Sequence, residues 1–151
     1  MSPVFGAEVA GVDLAQGVDD ATFDLLYEAW LDYGVLAFQG QSILSPDSQV
    51  AFARRLGPLH AHPAAPPEHE NDAVFVIRTH RDSLISNGNG WHSDVSCDEE
   101  PPSATMLQVH LLPGCGGGDT LFADMEAAYA TMPAANRRQL WALSAVHASD
   151  H

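Results

Sequence analysis

The stretch "NGNGWHSDVSCDEEPP", residues 87–102, places His92 and Asp94 two positions apart between a glycine-rich loop and a run of acids and prolines. Side chains at i and i+2 of an extended chain point to the same face. A histidine nitrogen and a carboxylate oxygen sharing a face form two adjacent corners of a coordination sphere. A second histidine from elsewhere would complete a two-histidine, one-carboxylate facial triad, an arrangement with open positions that suits non-heme Fe(II). The competing interpretation is a polar strand end in solvent, because an isolated H-x-D tripeptide arises often by chance. The acids that follow, Asp98, Glu99 and Glu100, alternate in direction along an extended chain, so they do not converge on one ion. They are read as a solvated turn before Pro101. Cys97 has no cationic residue beside it in sequence to lower its pKa, and Trp91 is expected to pack rather than react.

Upstream, Phe23, Leu26, Tyr27, Trp30 and Leu31 recur with the spacing of one helix face. Asp19 or Asp20 caps that helix and Gly34 ends it. "VLAF", 35–38, then reads as a short buried strand. Ser45 followed by Pro46 opens a second helix that runs to Gly57, and "AVFVI", 73–77, is a further strand candidate. Downstream, "ATMLQVHL", 104–111, alternates imperfectly and reads as a strand with one polar and one apolar face. "GCGGGD", 114–119, is a turn, and "TLFA" resumes a strand. "DMEAAYATM" is a short helix capped by Asp124, and Pro133 opens another with Leu140 and Leu143 on its inner side. Helix-flanked strands of this kind predict a mixed sheet, not a doubly wound parallel one.

The chain has 151 residues, enough for one domain with a core of its own. With 46% apolar residues and no apolar run of membrane-spanning length, it is expected to be soluble, with no membrane partner. The first residues lack the basic start and apolar stretch of a secretory signal. Cys97 and Cys115 show neither paired zinc spacing nor a disulfide framework, as expected of a cytoplasmic protein. A net charge of −14 with only six basic residues argues against nucleic acid. A small molecule is the expected partner.

Beyond the central stretch, ordered blocks carry a resemblance. "WHSDVS" is followed by "PP" at 101–102 and by "LLPGCGGGDTLFADMEAAYATMP" at 111–133. Before it come "GAEVAGVDL" at 6–14, "YGVLAFQGQSILSPDSQVAFARRLGPLHAHP" at 33–63 and "THRD" at 79–82. Together these closely resemble the TauD/TfdA family, the taurine-dioxygenase-like oxygenases that use Fe(II) and 2-oxoglutarate. The resemblance implies an α+β, mainly β fold, a double-stranded β-helix or jelly roll with flanking N-terminal helices. It also implies iron ligation by His92 and Asp94, and a Thr120 hydroxyl that helps hold the distal carboxylate of 2-oxoglutarate. His62, in "HAHPAAP", matches a histidine lining the substrate pocket, and Asn87 or Asn89 is a polar contact to substrate. The partners implied are O2 and a small organic acid, hydroxylated at a C–H bond next to a heteroatom.

The match departs from the taurine type where a pocket aromatic is replaced by Ala64 and Ala65, which neither stack nor donate a hydrogen bond. A roomier pocket for larger alkyl sulfates is equally compatible. In the family a second histidine and an arginine that grips 2-oxoglutarate lie far downstream, past the point where this sequence ends in "ALSAVHASDH". The chain is therefore expected to be the N-terminal part of one such domain, with an inactive remnant or binding module of the same fold as the alternative. His110, His147 and His151 are not expected to replace the third ligand, nor Arg137 and Arg138 the arginine. His60, His69 and His80 read as surface or loop residues. Strands left without neighbours expose backbone groups that favour association, so residues 1–151 alone are expected to be oligomeric or poorly soluble.

Overall fold

The computed structural model describes residues 5–61, 73–80, 82–83, 90–114 and 116–148. It resolves into two compact units, one formed by residues 1–43 and 108–145, the other by 44–107 and 146–151.

The first unit begins with β1, Ala7–Val9, and a 3₁₀ turn, Leu14–Gln16. Asp13 caps the turn by accepting from the Ala15 N–H at 3.0 Å. Helix α1, Asp20–Tyr33, follows, and of the two candidate caps Asp19 is the one used, accepting from the Thr22 N–H at 2.7 Å. Gly34 ends the helix at φ 72°, donating its N–H to the Trp30 carbonyl at 2.8 Å. Strand β2, Leu36–Phe38, then pairs with β1 in parallel, Ala7 opposite Leu36 and Val9 opposite Phe38. A parallel pair needs a crossover, and α1 supplies it. The two strands half-bury the same alternate positions, leaving Glu8 and Ala37 exposed. Leu14, Phe23 and Leu26 form the buried apolar set of this unit. The five-residue face expected of α1 is covered only in part, since Leu31 is exposed. "VLAF" is a strand from Leu36 on, half-buried rather than buried.

Later in the same unit, α3, Met125–Thr131, is capped by Asp124, which accepts from the Ala127 N–H at 2.8 Å. After Pro133 comes α4, Ala134–Trp141. The Arg137 guanidinium donates to the Ala130 carbonyl at 3.3 Å across the α3–α4 corner. Leu140 and Leu143, expected on an inner face, are exposed.

In the second unit, α2 spans Pro46–Leu56, with Ser45 accepting from the Ser48 N–H at 3.1 Å and Gly57 closing the helix. Leu44 and Val50 are its buried apolar residues. The Gln49 side-chain amide donates to the Met106 carbonyl at 3.2 Å, anchoring the 101–107 segment to this helix.

Coarsely, then, the fold is α+β. The strands expected at 73–77, 104–111 and 120–123 are not formed among the described residues, where β1 and β2 make the one sheet. Residues 101–109 nonetheless alternate between exposed and half-buried, the period of an extended chain. An extended segment becomes a strand only when a neighbour completes the hydrogen-bond ladder, and no described segment does so here.

Candidate metal centre

His92 and Asp94 do not lie on a strand. Residues 91–93 have no regular structure and 94–97 form a turn, with the Asp98 N–H donating to the Val95 carbonyl at 3.1 Å. Val95 enters this turn at φ 47°, a left-handed conformation costly for a β-branched residue. The expected convergence survives the change of backbone. The Nε2 atom of His92 stands 3.1 Å from the Oδ1 atom of Asp94.

The remaining polar atoms of both side chains are committed elsewhere. Nδ1 of His92 lies 2.7 Å from the Gly90 carbonyl, which can only accept, so this nitrogen carries the proton. In the neutral ring that leaves the Nε2 lone pair facing a carboxylate oxygen. Two acceptors at this distance need a proton or a cation between them. Oδ2 of Asp94 accepts from the Thr105 hydroxyl at 2.7 Å. Both candidate ligands are about half exposed, 55% for His92 and 46% for Asp94, so a small ion can reach them.

Ligand atoms at right angles on one ion, with bonds of about 2.1 Å, stand about 3.0 Å apart. The observed separation fits two cis positions of a transition-metal site, and imidazole with carboxylate is the donor set of the iron facial triad. Among the described residues no group of three or more His, Cys, Asp or Glu side chains is placed to hold a metal ion. His147 is engaged through Nδ1 with the Ser96 hydroxyl at 2.9 Å, and Nε2 of His110 accepts from Gln108 at 2.9 Å.

His60 is a loop residue, as expected, and it has a partner that its spacing did not signal: its Nε2 lies 2.6 Å from Oδ2 of Asp98, with both side chains partly exposed. In the acidic turn Glu99 and Glu100 are exposed, and Asp98 is half-buried. One expectation about this loop is corrected. Trp91, expected to pack, is 72% exposed among the described residues. Two partners escaped the sequence reading altogether. Thr105 lies eleven positions from Asp94 and His60 thirty-eight from Asp98, distances at which no local spacing signals a contact.

Thr120 is exposed and belongs to the unit of residues 1–43 and 108–145, whereas His92 and Asp94 belong to the other. It follows three glycines, Gly116, Gly117 and Gly118, all at positive φ (80°, 89° and 83°), a backbone path that residues with a Cβ avoid. His62, Asn87 and Asn89 lie outside the described residues. No helix among the described residues is long and apolar enough to cross a membrane.

Comparison with known proteins places this geometry in a chemical context. The family described as "Taurine catabolism dioxygenase TauD, TfdA family" matches residues 1–151. An alkylsulfatase of Acinetobacter baylyi is 31% identical over 146 residues, covering 97% of this chain and 45% of the relative. An alpha-ketoglutarate-dependent sulfate ester dioxygenase of Pseudomonas putida is 34% identical, covering 97% and 47%. The (S)-phenoxypropionate/alpha-ketoglutarate-dioxygenase of Sphingobium herbicidovorans is 36% identical over 150 residues, covering 97% and 51%. The chain spans about half the length of these curated relatives.

Proposed function

The chain belongs to the TauD, TfdA family of taurine catabolism dioxygenases, and from that premise we propose that it carries the His-x-Asp half of an Fe(II)- and 2-oxoglutarate-dependent dioxygenase site. One observation carries the reading: Nε2 of His92 and Oδ1 of Asp94 face each other at 3.1 Å while their other polar atoms are tied down. Iron bound there supplies the activation of O2 that is coupled to decarboxylation of 2-oxoglutarate.

The chain's own residues have separate tasks. His92 presents Nε2 as a neutral donor because Gly90 fixes the proton on Nδ1. Asp94 supplies negative charge that offsets part of the cation's. Thr120 donates its hydroxyl to the distal carboxylate of 2-oxoglutarate, and the glycines ahead of it let the backbone approach that cosubstrate. His62 and either Asn87 or Asn89 contact substrate. The substrate class is a small organic acid hydroxylated beside a heteroatom, such as a sulfonate or sulfate ester. Support comes from relatives named for alkyl sulfates and sulfate esters, and from Ala64 and Ala65 in place of a pocket aromatic. The full site takes the jelly-roll form of the family, in which a further histidine completes the iron ligands and an arginine holds 2-oxoglutarate.

Anaerobic addition of Fe(II) and 2-oxoglutarate to the protein tests this reading. A visible charge-transfer band that disappears in both His92→Ala and Asp94→Ala is the expected result. No band in the unsubstituted protein favours a remnant of the fold that binds without turnover.

A further inference from the structure

We propose that Thr105 is a positioning residue that sets the Asp94 carboxylate for metal binding; the proposal rests on the metal-site reading above. A carboxylate offers two equivalent oxygens, and a ligand of this kind can chelate through both, bind through one, or rotate toward water. That freedom is narrowed for Asp94. Its Oδ2 accepts from the Thr105 hydroxyl at 2.7 Å, within the range of a hydrogen bond to a charged acceptor, and its Oδ1 is left aimed at Nε2 of His92. The hydroxyl has a single proton, so its donation to Oδ2 is exclusive. The residue therefore favours ligation through Oδ1, the oxygen that its hydroxyl leaves free.

Thr105 is itself well placed to hold still. It sits on the extended 101–107 segment, which the Gln49 amide of α2 grips at the neighbouring Met106 carbonyl. The hydrogen bond thus connects the ligand to a helix rather than to another loop. Outer partners of this kind are worth 10–100-fold in metal affinity where they have been removed. Because Thr105 is exposed, deleting its hydroxyl leaves no buried polar group unsatisfied. Metal affinity and fold stability are therefore separable.

Titration of the 151-residue protein with Mn(II), an air-stable stand-in for Fe(II), reads the effect through paramagnetic broadening of the His92 ring signals. Thr105→Val, which keeps the shape and loses the hydroxyl, is expected to need about 10–100-fold more Mn(II) for half-broadening. Thr105→Ser, which restores the donor, is expected to behave like the unsubstituted protein, and the metal-free amide spectrum and thermal midpoint should be unchanged in both. If Thr105→Val titrates like the unsubstituted protein while Asp94→Ala abolishes broadening of the His92 ring, the proposal is overturned and the metal site stands. Absence of broadening in the unsubstituted protein overturns the metal-site reading and this proposal with it. Should Thr105→Val lose its folded amide spectrum, Thr105→Ala in the same titration decides between the first two outcomes.

Discussion

Asp94 commits its two oxygens to different neighbours, one to Thr105 and one toward His92, so charge and orientation can be removed separately. Asp94→Asn keeps an oxygen for the Thr105 hydroxyl but discards the negative charge. We expect it to lower Mn(II) affinity by at least the 10–100-fold of an outer-partner loss, read by the same broadening of His92. The neighbouring pair, His60 and Asp98, is a structural contact of another kind. It ties the segment after α2 to the turn at residues 94–98, and its partly exposed groups are screened by solvent. Asp98→Ala should therefore cost no more than about 1 kcal/mol by denaturant unfolding. A markedly larger loss would show that the pair, and not the local turn, holds the loop in place.

The helices are set by short-range chemistry, and their ends are where substitution should tell. Asp19, Ser45 and Asp124 each accept from a backbone N–H three residues on, satisfying a donor that the helix leaves open. Asp19→Ala should destabilise α1 by about 1 kcal/mol, seen as faster amide exchange in its first turn. At the other end Gly34 is constrained twice. Its φ is 72°, and a Cβ built there would come within 2.6 Å of the Phe5 ring. Gly34→Ala should cost more than the about 1–2 kcal/mol of left-handed backbone alone, whereas the same change at Gly11, φ 78° with open space around it, should cost only that backbone term. The difference between the two variants in chemical denaturation isolates the contact with Phe5. Strands obey a different logic. The residues at 101–109 have the alternation of a strand, but alternation makes a surface and not a ladder.

At the scale of the whole chain, apolar exposure and charge act in opposite directions. Leu111, Leu112, Leu121, Phe122, Met125 and Leu143 are all more than half exposed, a quantity of apolar surface that favours association. The net charge of −14 opposes it. Repulsion between exposed charges is screened within about 10 Å at 0.1 M salt, and apolar attraction is not weakened by screening. Sedimentation of residues 1–151 should therefore show association that grows as sodium chloride rises. A clean monomer at every salt concentration would mean that the exposed residues do not form a usable contact surface. The sequence by itself determined what depends on neighbours a few positions apart. The capped helices follow from side chains meeting their own backbone, and the H-x-D spacing keeps an imidazole and a carboxylate close enough to meet, at 3.1 Å. Family kinship was legible for the same reason, as ordered blocks of residues. Only the tertiary structure decided which distant groups meet. The parallel pairing of residues 7–9 with 36–38 depends on α1 folding back between them. The Thr105 hydroxyl on Asp94 and the His60 ring on Asp98 depend on where whole segments come to rest. Periodicity reports which face a residue occupies, and the partner on that face is fixed by the path of the chain.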